Sequence, residues 1–379
     1  MVSDEIIENN TNWLLNSDIR IKQGEDKGAL YGWKDLSNSS YPFIYSEIVG
    51  YAITCFSWIY IRKSNDHALS AAREGSLWVR NNMKSGLLIT GKLNKNTTFE
   101  SKGDIPNLIY SFDNGMILAG LLNLYKIDKD PENLNSAIKI ADTLIDKFFD
   151  GTKMIAMLDS SLNPSSYGTG KWSTMSGSYH AKIAFGLLKL FKITQKSVYK
   201  EVAYSLCDFA LTMQNQDGRF RTNMEDDLTF LHPHLYSCEG LLYTGIDLSD
   251  NRYIEASLKG LEWAVKQMDL NNGSLPRTTK ENVEQSDCMA QLMRLLIICY
   301  SELKKRNNSN LDSIIEQLRS SILGLYIYDG DGKGGLRYQN SLTQICTWCT
   351  MFALQASSFY NDLKDKDNLL MADMIEYYI

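Results

Sequence analysis

The chain has 379 residues, of which 44% are hydrophobic and 22% are charged, as in an ordinary globular protein. Its 39 basic and 45 acidic residues give a formal net charge of −6, and no basic stripe is present, which argues against a nucleic-acid-binding surface. No stretch approaches the roughly 18–20 apolar residues that span a bilayer. Residues 1–5 include Asp4 and Glu5 and begin no apolar run, so they do not resemble a signal peptide. We therefore expect a cytoplasmic protein that binds neither nucleic acid nor membrane; the oligomeric state stays open.

A supersecondary repeat runs from about residue 43 to residue 360. In each copy an apolar helix is followed by a polar link, a second helix and a turn that contains glycine. Five complete copies and a sixth, partial one begin near residues 45, 112, 179, 236, 286 and 346. Repetition of this kind indicates an architecture built by stacking one unit. Because no Pro/Ser/Gly-rich linker interrupts the repeat, we predict a single domain over residues 1–379.

The second helix of each copy is the clearest predicted element. Its apolar residues recur at spacings of three and four, which is typical of a helix with one face on a core and the other in water. These helices are predicted over residues 66–81, 131–149, 197–213, 251–268 and 311–325. The first helices, such as those containing residues 116–122 and 183–188, are apolar nearly all round, which indicates an inner layer.

Inner helices that alternate with outer helices predict an all-α fold, an (α/α)6 toroid of six hairpins with short extended turns between the helix pairs. The outer partner of the sixth inner helix would come from residues 5–15 or from the C-terminal segment. An open superhelical solenoid is the alternative, but its repeats usually span roughly 34–47 residues. The longer units of this chain favour the closed ring.

In a closed ring the inner helices all begin at one end, which we call the mouth. Residues able to carry acid–base chemistry stand at or near these helix starts: Tyr45, Glu47, Asp113, Tyr179, His180, His232, His234, Tyr236, Glu239 and Asp287. Acids at a helix N-terminus are also favoured by the helix dipole, and the histidines would serve equally well as caps. As a set, these side chains predict a shared site. Several carboxylates around one mouth suit glycoside chemistry.

The sequence predicts neither a metal nor another cofactor. A zinc site at His232 and His234 would need at least one further ligand at a suitable spacing, and no HExxH motif or paired CxxC is present. The single CxxC at residues 346–349 is weak support for either zinc or redox chemistry. Residues 329–334 resemble a calcium loop, but Lys333 stands where an oxygen ligand is required.

Aromatic residues are frequent in the same links, as a carbohydrate-binding cleft would require. They include Trp33, Tyr45, Trp172, Tyr236, Tyr338 and Trp348. Sugar rings have apolar faces that stack on such side chains, although the same residues would also serve simply to fill the ring. Residues 334–340 add glycines that let a ligand approach the backbone, followed by the cation of Arg337 beside the phenol of Tyr338.

Together these residues resemble the six-hairpin α/α toroids of carbohydrate-active enzymes. The resemblance covers most of the chain and depends on residues 45–51, 112–115, 179–180 and 234–236. Residues 325–354 are similar to the C-terminal domain of glucuronyl C5-epimerases, in which a Gly-rich turn precedes a catalytic Tyr and an aromatic-rich helix. Tyr338 falls at the position of that Tyr, and Trp348 stands near the place of a second Tyr that this chain lacks. Unsaturated glucuronyl hydrolases of the same fold are the close alternative.

The resemblance implies an enzyme that acts on a uronic-acid-containing glycan, with C5-epimerisation of a glucuronyl residue as the preferred reaction. Such a reaction needs two acid–base groups on opposite sides of the sugar and a cation for its carboxylate. Tyr338 would be one acid–base group and Tyr236, Tyr179 or His180 the other. Arg337 or Lys171 would hold the carboxylate. Residues expected to contact substrate are Trp33, Tyr45, Glu47, Trp172, His232, His234, Asp287 and Trp348.

Three alternatives remain open from the sequence. A glycoside hydrolase would use Asp113 with Glu239 or Asp287 as acid and base. A polysaccharide lyase would use Tyr and His and would leave a double bond in the product. A non-catalytic toroid would bind a glycan in its mouth without turnover.

Overall fold

The computed structural model describes residues 2–93, 107–165, 171–224, 227–306, 310–365 and 371–379. Within these residues the protein consists mainly of α-helices, joined by links that contain short strands. The chain has the (α/α)6 toroid fold, as the sequence predicts. None of the helices in the described ranges is long and apolar enough to cross a membrane.

Six apolar segments form the inner ring, in which each packs on the next and the sixth packs on the first. They are α2 (Ser46–Lys63), α4 (Ser111–Asp128), a 3₁₀ segment (Ser178–Ile183) that continues into α6 (Ala184–Thr194), α8 (Leu231–Leu248), α10 (Ser286–Ile298) and α13 (Thr347–Lys364). All of residues 46–59 of α2 and 231–245 of α8 are buried. Neighbours on every side cover these helices, which is why their sequences are apolar all round.

Each inner segment also packs against one outer helix. In order around the ring the outer helices are α3 (Asp66–Asn82), α5 (Pro131–Phe148), α7 (Ser197–Thr212), α9 (Asn251–Lys266), α12 (Leu311–Gly324) and α1 (Val2–Asn16). The N-terminal helix α1 therefore completes the sixth hairpin, the first of the two possibilities that the sequence left open. Asp130 caps α5 by accepting a hydrogen bond from the Glu132 N–H at 3.0 Å, and Pro131 occupies a position that needs no N–H donor.

Short antiparallel strands organise the links at the mouth. β2 (Phe43–Tyr45) leads into α2 and pairs with β3 (Gly91–Leu93), and β4 (Leu108–Tyr110) leads into α4 and pairs with β5 (Met157–Asp159). β7 (Gln344–Cys346) leads into α13 and lies between β1 (Trp33–Asp35) and β6 (Leu336–Arg337). Trp33 pairs with Cys346, so this sheet joins the first and last links of the ring.

The described elements also include two shorter α-helices and two further 3₁₀ turns, Trp172–Thr174 and Gly330–Gly332. α11 (Tyr300–Lys305) follows α10 directly, and α14 (Met371–Glu376) packs against α8 and α10. Glu376 lies 3.1 Å from the ammonium of Lys126, in the last turn of α4, so α14 is at the end of the ring opposite the mouth. From there Tyr378 and Ile379 enter the ring and are buried.

Glycines let the inner helices approach each other backbone to backbone. A Cβ atom on Gly240 of α8 would lie 2.3 Å from the carbonyl carbon of Ala181 and 2.4 Å from the nitrogen of Lys182. Real Cβ atoms do not approach backbone atoms so closely, and neither backbone segment can move without disturbing the ring. Gly240 therefore sets the distance between α8 and the segment that precedes α6.

We predict that Gly240→Ala lowers the free energy of unfolding by about 1–3 kcal/mol or more, because the added methyl overpacks this contact. Gly324→Ala is a matched control: Gly324 also lies in a helix, but a Cβ atom there would meet nothing within 4 Å. The control should leave the stability unchanged or raise it by up to about 1 kcal/mol. Urea unfolding of both variants measures the difference, and equal stabilities would contradict the account of the close approach.

Candidate active site

A cavity of about 250 Å³ opens at the mouth, where the inner helices begin. This volume lies below the roughly 300–1,000 Å³ of pockets that enclose drug-sized ligands, so the cavity suits a small ligand. The residues that the sequence predicts and that line the cavity are Trp33, Tyr45, Glu47, Lys171, Trp172, His232, Tyr236, Asp287, Tyr338 and Trp348. They come from widely separated parts of the chain, which the closed ring brings together.

The floor of the cavity is formed by a hydrogen bond across the ring. The hydroxyl of Tyr51 on α2 donates to the hydroxyl of Tyr236 on α8 at 2.8 Å, and these two helices are the first and fourth members of the six-membered ring. Lys182 lies beneath, with its ammonium 4.3 Å from the centre of the Tyr236 ring and 5.0 Å from that of Tyr51. Burial raises the pKa of both phenols well above 10, so both stay protonated at neutral pH.

His232 has a defined tautomer. Its Nδ1 atom lies 2.5 Å from Oε1 of Gln291, and the Nε2 atom of Gln291 donates to Oε1 of Glu239 at 3.1 Å. A carboxylate only accepts, so the amide nitrogen of Gln291 must face Glu239 and its oxygen must face His232. The hydrogen of the neutral imidazole is therefore on Nδ1. The Nε2 atom carries the lone pair and makes no hydrogen bond with any described residue.

The charge state of His232 suits a general base. Burial lowers the pKa of His232 below its ordinary value of 6.5, although the negative charge of Asp287 opposes this effect. The imidazole is consequently neutral at physiological pH. A neutral imidazole with an available Nε2 at the wall of a cavity can take a proton from a bound ligand.

Asp287 and Tyr338 lie on the side of the cavity that α13 covers. Trp348 donates from its indole nitrogen to Oδ2 of Asp287 at 3.1 Å, and this oxygen is 3.6 Å from Nδ1 of His232. Gln285 donates to the hydroxyl of Tyr338 at 2.5 Å. Burial, followed by the charge of Asp287, raises the pKa of Tyr338 well above 10, so in the resting state its phenol is a proton donor and not a base.

Among the residues that the structure describes, two cations line the cavity, and one of them is predicted from the sequence. Lys171 is the predicted residue. The other is Arg277, in the link that precedes α10, whereas Arg337 occupies β6 with its backbone paired to Ile345 and does not line the cavity. Arg277 lies 3.6 Å from the carboxylate of Glu281 and remains partly exposed. Its place in a link to an inner helix, like that of Lys171, is the signal that sequence reasoning overlooked.

Three predicted aromatic residues are held away from the cavity by hydrogen bonds. His180 accepts at Nδ1 from the N–H of Gly177 at 3.4 Å, and its Nε2 is 3.2 Å from the hydroxyl of Ser111. His234 accepts at Nδ1 from the N–H of Phe220 and donates from Nε2 to the carbonyl of Gly260. Tyr179 donates to the carbonyl of Met175 at 2.8 Å. All three are fully or almost fully buried and hold links or helices together.

Two predicted acids also lie outside the cavity. Asp113 is buried and accepts a hydrogen bond from the hydroxyl of Thr90 at 2.7 Å. Glu239 is fully buried below the floor, where its Oε2 is 2.7 Å from Lys182 and its Oε1 is 3.5 Å from Arg294. Burial lowers the pKa of Lys182 to about 8, which remains above neutral pH. Glu239 is thus the centre of a buried ion-pair network and has no access to substrate.

A helical spacing connects the cavity to this network. Along each of four inner helices, residues four or seven positions apart share the face that points toward the ring axis: Glu47 and Tyr51; His232, Tyr236 and Glu239; Asp287, Gln291 and Arg294; Trp348, Phe352 and Gln355. Positions i, i+4 and i+7 lie on one face of an α-helix. This stripe, which places polar residues inside otherwise apolar helices, is the signal that would have found Gln291 and Arg294.

Within the described residues, one group has side chains of the types that bind metals close together: His232, Asp287 and Cys288. The polar atoms of Asp287 and Cys288 already have protein partners, as does Nδ1 of His232. Asp287 accepts from the indole of Trp348 and from the N–H of Cys288, and the thiol of Cys288 lies 3.8 Å from Oε1 of Gln285. We assign the group no metal.

Comparisons with known proteins bear on the fold. No protein-family model matches the sequence, and no curated protein matches it. Similar solved structures include a cellobiose 2-epimerase from Bacillus thermoamylovorans (TM-score 0.74, 12% identity, covering 94% of this chain and 100% of that one). A D-mannose isomerase has TM-score 0.74 and 12% identity, covering 96% and 97%, and an unsaturated glucuronyl hydrolase specific for heparin has TM-score 0.64 and 10% identity, covering 97% of each chain. These are carbohydrate-active enzymes with (α/α)6 toroids, and at such identities the likeness establishes the fold.

The buried histidines predict a dependence of stability on pH. Burial lowers the pKa of His180 to about 3 and that of His234 to about 4, from an ordinary value of 6.5. Between these values and 6.5 the unfolded chain binds protons that the folded chain does not, so stability falls as the pH falls. At pH 5 each histidine should cost about 2 kcal/mol relative to pH 7. Urea unfolding at the two pH values measures the loss.

His234→Gln should make this pH dependence shallower, because the variant lacks one of the two buried imidazoles. A free energy of unfolding that does not change between pH 7 and pH 5 would contradict the assignment of neutral, buried histidines.

Proposed function

We propose that this protein is a sugar epimerase or isomerase, an enzyme that removes a proton from a carbon next to a carbonyl group and returns one. The observation that carries the proposal is the state of His232: a neutral imidazole at the wall of the cavity, with its hydrogen held on Nδ1 and its Nε2 lone pair available. Proton abstraction from carbon requires a base of this kind, held in a fixed orientation.

The other groups of the cavity fit the remaining steps. When the base removes the proton, negative charge develops on the carbonyl oxygen, and a donor close to that oxygen lowers the barrier. The protonated phenol of Tyr338 and the cations of Lys171 and Arg277 are such donors. Glu47 lies on α2, opposite the α8 that carries His232, so a proton can return from the opposite side of the sugar.

The aromatic lining supports a sugar as the substrate. Trp172 is 5.7 Å from the ring of His232, and Trp348 is 5.7 Å from the ring of Tyr338, both measured between ring centres. Two indoles on different walls of one cavity provide apolar surfaces for the faces of a sugar ring. Two of the similar structures are a cellobiose 2-epimerase and a D-mannose isomerase, and both reactions change a carbon next to a carbonyl group.

The preferred substrate within this class is a glucuronyl residue, epimerised at carbon 5. That carbon bears the carboxylate, so its proton is also adjacent to a carbonyl carbon. Lys171 and Arg277 support an anionic substrate, and so do the helix N-termini of α2, α8, α10 and α13, which all point at the mouth. The negative charges of Glu47 and Asp287 oppose it, which requires the substrate carboxylate to bind on the side of the two cations.

Deuterium uptake from heavy water tests the proposal. The protein is incubated with glucuronyl oligosaccharides and, separately, with cellobiose and mannose, and deuterium on carbon is followed by NMR. We expect exchange next to a carbonyl group in at least one substrate, reduced at least about 100-fold by His232→Gln because a general base is lost. His67→Gln, on the outer helix α3, is the matched control and should exchange like the wild type.

Uptake at carbon 5 of the uronate supports the preferred substrate, and uptake at carbon 2 of an aldose supports the reaction class but rejects the uronate. Absence of exchange from every substrate, or exchange that His232→Gln leaves intact, would overturn the proposal.

The lowered pKa of His232 predicts the acidic limb of the pH profile. Only the neutral imidazole is a base, so kcat/KM should stay level from pH 7 through the ordinary histidine value of 6.5 and fall only at lower pH. The profile is measured with fluorescence as a check that the protein remains folded. An acidic limb centred at or above 6.5 would contradict the burial-based assignment.

A glycoside hydrolase is the second candidate, because two carboxylates line the same cavity. Asp287, which accepts hydrogen bonds on both oxygens, would be the base or nucleophile, and Glu47 would be the acid. This enzyme would release reducing sugar without deuterium uptake on carbon. Asp287→Asn would then abolish activity, and His232→Gln would weaken it less.

A further inference from the structure

The last residues of the described chain reach the centre of the ring from the end opposite the mouth. Tyr378 is 4% exposed and Ile379 is 1% exposed. The carbonyl of Ile379 accepts from Lys182 at 3.1 Å and from Arg294 at 3.1 Å, and the carbonyl of Tyr377 accepts from Gln355 at 2.8 Å. The 3₁₀ segment that precedes α6 and the inner helices α10 and α13 therefore all hold this segment.

The side chain of Tyr378 contacts the buried carboxylate directly. Its hydroxyl donates to Oε1 of Glu239 at 2.9 Å. The same oxygen accepts from Gln291 at 3.1 Å, while Oε2 faces Lys182. A carboxylate with no access to water depends on each of its donors for its position, because no solvent can replace a donor that is lost.

Gln291 lies between Glu239 and His232 and is hydrogen-bonded to both. Its amide nitrogen is bonded to Glu239, and its amide oxygen is bonded to Nδ1 of His232. An amide bound at one end only can turn over and present its nitrogen to the imidazole. His232 would then move its hydrogen to Nε2, the atom that must be free to accept a proton.

We propose that Tyr378 is a positioning residue for His232. It holds Glu239, Glu239 orients Gln291, and Gln291 keeps the hydrogen of His232 on Nδ1. The C-terminal segment thus completes the site from beneath without touching the ligand. The kinetic consequence rests on the function proposed above, but the tautomer of His232 in the protein without ligand does not.

We call the hydrogen-bonded series Tyr378, Glu239, Gln291 and His232 the relay. Tyr378→Phe tests it, because this change removes the hydroxyl and preserves the ring. Two-bond proton–nitrogen NMR correlations distinguish the Nδ1–H tautomer from the Nε2–H tautomer, and the chain contains only four histidines. His232→Gln identifies the signal of His232. In the wild type we expect the Nδ1–H tautomer, and in Tyr378→Phe a mixture of both tautomers. Gln291→Met, which breaks the relay next to His232, should give the same mixture or a larger change.

Kinetics provide a second readout on the full-length variants. Tyr378→Phe should lower kcat by about tenfold, because a hydrogen-bond partner that orients the reacting side chain indirectly is lost. KM should change by less than about twofold, because no contact with substrate is lost. Tyr377→Phe is the matched control. It removes a hydroxyl from the neighbouring residue of the same segment, whose ring lies by Lys189 and not by Glu239. It should leave both the tautomer and kcat unchanged.

The outcomes separate the relay from the proposed reaction. A change of tautomer in Tyr378→Phe supports the relay even when no substrate is turned over. An active Tyr378→Phe enzyme with the wild-type tautomer and kcat overturns the relay and leaves the reaction standing, even if its unfolding temperature falls. An Nε2–H tautomer in the wild type overturns the relay and also the assignment of His232 as the base.

Discussion

A carboxylate without access to water lies at the centre of a ring of apolar helices, and the surrounding structure is arranged to satisfy it. Glu239 is 0% exposed and is held between Lys182 and Arg294, which are also buried. Charges in such a place are tolerated only when partners and hydrogen bonds compensate for the lost hydration. The compensation comes from two other inner segments, through Lys182, Arg294 and Gln291, and from Tyr378. The ion pairs, the closure of the ring and the C-terminal segment therefore depend on one another.

The need to keep Glu239 buried and paired also affects the cavity above it. The hydrogen bond between Tyr51 and Tyr236 separates the cavity from the charged network, and Gln291 is the one described side chain that connects Glu239 to His232. The buried ion pairs of Glu239 therefore determine which nitrogen of His232 carries the hydrogen, while the charges of the ion pairs stay outside the cavity. An enzyme that removes protons from carbon needs its base in one tautomer. An imidazole with its hydrogen on Nε2 cannot accept a proton at that atom, so a mixture of tautomers lowers the fraction of molecules that are active.

The fold follows from features that are local in sequence. Spacings of three and four on the outer helices and continuous apolar runs on the inner ones decide which helix lies in which layer. The predicted end of the outer helix at residue 81 differs from Asn82 by one position. The links to the inner helices likewise locate Trp33, Tyr45, Trp172, Tyr338 and Trp348 at the mouth, since each stands within or beside a strand or turn that leads into the ring.

The partners of buried polar groups were harder to predict, because they come from different hairpins. His232 and His234 are two residues apart and look equivalent in the sequence, yet they lie on different faces of α8. One faces the cavity, and the other bonds to the carbonyl of Gly260 on α9. Positions i and i+2 lie on different sides of a helix, so the helical period separates these two residues. The helical period does not show that Arg277, rather than Arg337, lines the cavity. Both residues lie in links between helices, and their positions depend on how these links fold.

A crystal structure with an unreactive, open-chain sugar acid would test the central claim most directly. The account predicts that the ligand occupies the cavity between Trp172 and Trp348, with the carbon next to its carboxylate within reach of Nε2 of His232 and the carboxylate toward Lys171 and Arg277. A ligand bound elsewhere on the toroid, or bound in the cavity with that carbon turned away from His232, would contradict it.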